Sequence, residues 1–173
     1  MNSKLESLLR NVETFIEDSK KGLPIEVFYF ISKLTPLVNV DLLIKNDKGE
    51  TLLTWRHDKF YGPAWHIPGG IIRFREKFES RIQKVAMTEL GTTHITHEEH
   101  PMAMRQLFAK GRDVRGHFIS LLFLCKLEAP PTKSQWTGGD PEAGQWCWHK
   151  GAPQNMLTNQ LPFIKYIDET NPL

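Results

Sequence analysis

The chain has 173 residues, 40% of them hydrophobic and 24% charged, which suits a folded domain with one sizeable core rather than a disordered or fibrous chain. Its formal net charge is +2 with no long block of like charge, which argues against nucleic acid or an anionic membrane surface as a partner. No segment approaches the ~18 apolar residues of a spanning helix, the N-terminus has no secretory cleavage pattern, and Cys125 and Cys147 read as buried free thiols of a reducing cytoplasm.

Ser3 and Glu6 form an S-x-x-E capping box, after which Leu5, Leu8, Leu9, Val12, Phe15 and Ile16 recur at helical spacing until Gly22 and Pro24 stop the element. That single apolar stripe has to pack on something, either the domain or a second copy of the chain, and a homodimer is one economical solution. A short helical piece around "IEVFYFISK" follows. "LVNVDLLIKN" reads as a strand, "DKGE" as a turn and "TLLTWRH" as its hairpin partner. After the loop "DKFYGPA" come the short strand "WHI", a Pro68-Gly69-Gly70 turn and a helix from Lys77 onward.

Past that helix, "HITHEEH" reads as a solvated connection, with a histidine metal cluster as the less favoured alternative. "HPMAMRQLFAK" and "GHFISLLFLCKLE" look like two strands joined by "GRDV", where Lys110, Arg112 and Arg115 are either phosphate contacts or a solvated hairpin tip. "APPTKSQWTGGDPEAG" is a long polar loop, "QWCWHK" a strand and "PQNMLTNQLPFIKYIDE" a closing helix. Strands and helices without a regular alternation predict an α+β fold, a mixed sheet with helices on both faces.

One carboxylate stands out. At 3.6 residues per turn, Phe78, Ile82 and Val85 lie along one stripe of the central helix, and Glu89 continues it. A lone ionised acid on an apolar face is costly, so it is either protonated, paired, bound to a cation or frayed into solvent. Hard cations such as Mg²⁺ accept carboxylate, backbone carbonyl and phosphate oxygens together, and the glycine turn lets backbone approach a ligand closely.

Here the stretch resembles the Nudix box, commonly written G-x5-E-x7-R-E-U-x-E-E-x-G-U. Gly70, Glu76, Lys84, Glu89 and Gly91 fall in register, whereas Val85 and Thr88 replace the other metal-binding glutamates and Lys84 replaces the arginine. The GDP-mannose mannosyl hydrolase subfamily shows the same losses, and the similarity runs without a gap from about Glu26 to Gly91. The resemblance implies a Nudix-type α/β/α sandwich, with residues 1–24 as an N-terminal helical extension and 25–173 as the domain.

It further implies a Mg²⁺ ion held by the Gly69 carbonyl and Glu89, with Glu142 in the late loop as third ligand or as base. Arg56 would meet the diphosphate, Lys84 would stand at the box's basic position, and Asp41 and Phe118 would lie in the substrate pocket. Read from the residues alone, Asp41 is equally a strand-end residue satisfied by a turn, and Arg56 an exposed hairpin base. The subfamily's arginine after the glycines is Ile71 here, and Ala143 stands where its catalytic histidine is expected. With two carboxylates missing, a single cation should assist departure of a diphosphate, so the implied reaction is water attack at the anomeric carbon of a nucleotide-sugar. The alternatives are a pyrophosphatase cutting at phosphorus and a non-catalytic nucleotide-binding module.

Overall fold

The computed structural model describes residues 3–169. Strand β1 (Leu37–Ile44) organises it: every residue from Val40 to Ile44 is buried, the signature of a strand covered on both faces. Its side chains alternate between two core clusters. Leu43 joins Leu53, Trp65, Leu122, Phe163 and Ile167 on one face. Leu42 and Ile44 join Leu52, Ile82, Val85, Leu90 and Phe123 on the other.

Both edges of β1 are occupied. β7 (His117–Leu127) runs parallel to it, from Leu37 opposite Phe118 to Ile44 opposite Cys125. β4 (Gly69–Ile71) runs antiparallel on the other edge, with Asp41 opposite Gly69. The far edge of β7 carries β6 (Ala103–Phe108) and β5 (Ile95–His97), which completes a five-stranded mixed sheet. A second, antiparallel sheet places β2 (Thr51–Arg56) between β3 (Ala64–His66) and β8 (Trp146–His149).

Several sequence expectations change. β2 is not the hairpin partner of β1: their backbones pair only at a bridge between Lys45 and Thr51, because β4 and β7 already take both edges of β1. The two glycines are strand residues rather than a turn. The turn comes later, at Phe74 and Arg75, where Arg75 has φ 55°. "HITHEEH" contains β5, whose backbone pairs with residues 125–127 of β7.

The closing segment is a 3-10 helix over Thr158–Phe163 followed by α-helix only at Ile164–Asp168. Pro162 explains this, since it lacks the amide and disfavours α geometry in the residue before it.

Helix α1 (Ser3–Glu13) contributes no buried residue, and Leu8, Leu9, Val12 and Phe15 stay exposed. Helix α2 (Ile25–Ser32) packs Phe28 against the core and buries Ser32. Helix α3 (Phe78–Leu90) covers one sheet face through Ile82, Val85, Ala86 and Leu90, and burial of Ile82, Val85 and Leu90 is worth roughly 1.5–3 kcal/mol each. Phe78 departs from the expected stripe: at the first helical position it is exposed, and only its ring meets Phe123, at 5.6 Å. Helix α4 (Ile164–Asp168) and the 3-10 turn cover the other face and complete the α/β/α sandwich.

Both cysteines are free. Cys125 is buried, which pushes its thiol up to about 12, whereas Cys147 is only half-buried. Among the described residues no helix is long and apolar enough to cross a membrane.

Candidate active site

Where the two sheets and α3 meet there is a cavity of about 160 Å³. β1 supplies Asp41, β2 supplies Arg56, β3 supplies His66, β4 supplies Gly69, α3 supplies Glu89 and β7 supplies Phe118. Five of the seven residues singled out from sequence, namely Asp41, Arg56, Gly69, Glu89 and Phe118, therefore line one space. Lys84 and Glu142 do not.

The strand position of the glycines explains the close packing. A Cβ on Gly69 would run into Asp41 Oδ1 and lie 3.0 Å from the Val40 carbonyl oxygen. One on Gly70 would lie 2.7 Å from Val85 Cγ2. The missing side chains bring β4 against both β1 and α3, and so set Glu89 facing Asp41's strand.

Asp41 is 1% exposed. Ser120 Oγ donates to its Oδ2, and Gln160 Nε2 donates to its Oδ1 at 3.0 Å. Burial pushes its carboxyl up to about 6, against the opposing help of Ser120, Asn39 and Gln160. Gln160 also accepts from the Ile67 amide at 2.8 Å and donates to the Ile67 carbonyl at 3.2 Å, tying Asp41 to the end of β3.

His66 is neutral. Burial first, then the charge of Arg56, hold it down at about 3. Its Nδ1 lies 3.0 Å from the Ile67 carbonyl, which can only accept, so Nδ1 carries the proton and Nε2 an open lone pair. Thr54 Oγ1 lies 2.9 Å from that Nε2 and 3.3 Å from Glu89 Oε2. One hydroxyl proton cannot serve both acceptors. Glu89 Oε2 is also 3.9 Å from His66 Nε2, so two lone-pair groups face each other with one proton between them.

Burial raises the Glu89 carboxyl, with Arg56 and Thr54 opposing. Such a pair of under-supplied acceptors suits a cation. The donor set is small, however: among the described residues no three His, Cys, Asp or Glu side chains are grouped to hold a metal ion. It fits one hard ion that keeps most of its coordination for water and phosphate oxygens, the habit of Mg²⁺.

Arg56 pairs with Asp58 at 2.6 Å and lies over the Tyr61 ring at 4.5 Å from its centroid. It is thus held in place at the cavity rather than free on a hairpin.

Lys84 has a supporting role instead. It is exposed and donates to Glu76 Oε1 at 2.8 Å, while Arg81 Nε donates to Glu76 Oε2 at 2.7 Å and the Arg73 amide to the same oxygen at 3.0 Å. Burial alone would raise the Glu76 carboxyl, but Lys84, the Arg73 amide and Arg81 outweigh it and hold it at about 2. Glu76 thus staples the turn to the start of α3 and does not line the cavity of Asp41 and Glu89.

Glu142 is exposed, in a turn closed by Gln145, and the turn is anchored to β2 through Gly144 N to Trp55 O at 2.9 Å. It is not among the residues that line the cavity. His94, His97 and His100 form no metal group either.

Sequence reading missed Thr54, Ser120 and Gln160. Each is an ordinary polar residue, and only the long-range pairing reveals its partner.

A NUDIX domain model matches residues 35–156. Among solved structures, a possible asymmetric diadenosine tetraphosphate hydrolase from Jonesia denitrificans DSM 20603 is 16% identical, with TM-score 0.61, covering 81% of this chain and 99% of its own. A MutT protein from Methanosarcina mazei Go1 is 18% identical, with TM-score 0.58 and coverages of 80% and 98%. The NUDIX domain of Shewanella oneidensis NrtR complexed with ADP ribose is 18% identical, with TM-score 0.53 and coverages of 78% and 88%. At these identities the likeness is one of fold.

Proposed function

The chain belongs to the NUDIX domain family, and from that premise we propose that it is a Mg²⁺-dependent, cytoplasmic hydrolase of a nucleotide-sugar, acting on GDP-mannose or a close analogue by water attack at the anomeric carbon. The domain is read as residues 25–173, with 1–24 as a helical extension. The observation that carries the reading is the acid count of α3. Glu89 is the one α3 residue at the cavity, while Val85 is buried in the core and Thr88 is exposed. A site poor in carboxylates holds few cations, and one cation assists a diphosphate leaving group better than it builds a nucleophile at phosphorus.

In this reading Glu89 and the Gly69 carbonyl would hold the Mg²⁺, and the ion would supply positive charge against the leaving diphosphate. Arg56 binds a diphosphate oxygen. Phe118 presents an apolar wall to the sugar. Asp41, with its carboxyl at about 6, is ionised at neutral pH yet basic enough to take a proton from water. Ser120 and Gln160 keep that carboxylate oriented. The water oxygen bonds to the anomeric carbon, the bond to the diphosphate oxygen breaks, and the nucleoside diphosphate leaves.

The test is turnover of GDP-mannose, UDP-sugars, ADP-ribose and diadenosine tetraphosphate with Mg²⁺ in ¹⁸O-labelled water. Label on the sugar's anomeric hydroxyl with release of GDP is expected. Label on phosphate would replace the reading with a pyrophosphatase. No turnover of any substrate would leave a binding module.

A further inference from the structure

The cavity that holds Asp41 and Glu89 is too small for a whole nucleotide-sugar. Its volume is about 160 Å³, whereas sites for ligands of that size run to roughly 300–1,000 Å³. It shares Tyr61, Leu157 and Asn159 with an adjoining groove of about 470 Å³, lined further by Phe60, Phe108, Lys110 and Arg112.

The junction of the two spaces is crowded with positive charge. Around the Tyr61 ring stand Arg112 at 4.3 Å, Arg56 at 4.5 Å and Arg115 at 5.6 Å from its centroid. Arg115 lines the cavity and Arg112 the groove. Asp58 pairs with Arg56, but among the described residues no carboxylate forms an ion pair with Arg112 or Arg115. Nε of Arg115 and Nη1 of Arg112 are shielded from solvent and have no hydrogen-bond acceptor. Burying such donors unmatched is unfavourable unless a ligand completes them.

The fold also holds Arg115 in place. Its φ is 54°, a left-handed conformation that is unfavourable for a residue with a side chain. Two tethers fix it there: its amide donates to Ser32 Oγ of α2 at 3.1 Å, and its carbonyl accepts from Tyr61 Oη at 3.4 Å. Burial weakens the proton affinity of its guanidinium, and the neighbouring charge of Arg56 adds to this, against the opposing influence of Tyr61 and Asp58.

We propose that Arg112 and Arg115, in the β6–β7 loop, form with Arg56 a phosphate-chain site around Tyr61, through which the ligand passes from the cavity into the groove. This rests on the reading of the cavity as one for a diphosphate-linked ligand, but the site binds its anion without a metal ion and without turnover. Guanidinium forks meet phosphate oxygens two at a time, so neighbouring arginines favour two linked phosphates over one.

Calorimetry in the presence of EDTA tests it, with inorganic diphosphate, orthophosphate and GDP as probes. The parent protein should bind diphosphate and GDP, and orthophosphate at least about tenfold more weakly. Arg115→Gln and Arg112→Gln should each weaken diphosphate binding by roughly tenfold or more, the loss of a charge-assisted contact. Glu89→Gln should bind diphosphate as well as the parent or better. Should Arg115→Gln fail to fold, as its thermal midpoint would show, Arg112→Gln decides. Parent-like diphosphate affinity in the folded arginine variants, or no binding by the parent, would overturn the proposal. Failure to hydrolyse any nucleotide-sugar with diphosphate binding intact would remove the catalytic reading alone.

Discussion

Replacing Asp41 by Asn should stabilise the protein at neutral pH while sharply lowering turnover. Burial raises the carboxyl from 3.8 to about 6. At 1.36 kcal/mol per pKa unit, the ionised group therefore destabilises the fold by about 3 kcal/mol at pH 7.5. The sign follows from the raised value: the contribution to stability is complete below 3.8 and is lost as pH rises through 6.

Asparagine can keep its oxygen toward Gln160 Nε2 and turn its amide toward Ser120, whose hydroxyl accepts as readily as it donates. Allowing about 1 kcal/mol for the hydrogen bond that changes hands leaves a gain of about 2 kcal/mol. For a chain of this size that is roughly 4–8 °C in Tm at pH 7.5. Near pH 4 the parent's carboxyl is protonated in the fold, and the gain should vanish. Melting followed by circular dichroism at both pH values measures the difference, and steady-state kinetics should show turnover reduced by ~10²-fold or more. A stability difference independent of pH would refute the argument that desolvation governs this group. Unimpaired turnover would remove Asp41 from the chemistry.

Glu76→Gln should be destabilising at pH 7 by about 2 kcal/mol, discounted for the solvent around exposed Lys84. Because the folded carboxyl is held down at about 2, the penalty should fade between pH 4.5 and 2, and urea titrations with a constant penalty across that range would contradict the assignment. Glu89→Gln should fold normally and bind Mg²⁺ at least about tenfold more weakly, whereas parent-like affinity by calorimetry would exclude Glu89 as the ligand. Gly70→Ala places a methyl 2.7 Å from Val85 Cγ2 and should lower stability by about 1–3 kcal/mol. Adding Val85→Ala should recover part of that loss, and an additive double variant would show that the two positions do not meet. Deleting residues 1–22, which include the exposed face of α1, should weaken a homodimer in sedimentation velocity, and a full-length monomer at micromolar concentration would dispose of the dimer.

Much of this molecule is legible in one dimension. The period of α3 is local, so the phase that aims Glu89 along the line of Ile82 and Val85 could be read from its spacing. The box in register from Gly70 to Gly91 pointed to the NUDIX family, which residues 35–156 match. The run "LVNVDLLIKN" could be read as a strand, though its burial on both faces emerges only in the fold.

Which strand lies beside which was not legible, because pairing is decided by competition for edges. β2 follows β1 directly, yet β4 and β7 take both edges and β2 goes to the other sheet. The same competition makes the site. Asp41, Ser120 and Gln160 are brought together by register and by the closing 3-10 turn, and nothing near each residue in sequence names the other two. Lys84 and Glu142 matched a pattern by position, but position along a chain carries no direction. Lys84 is drawn to Glu76, and the turn of Glu142 is anchored to Trp55 outside the cavity. Arg115 could be read as a phosphate contact or as a solvated hairpin tip, and the tethers that hold its backbone come from Ser32 and Tyr61, both distant in sequence. Periodicity is set by bonds a few residues apart. A site is set by contacts that form only when the sheets close, and only the tertiary structure decides those.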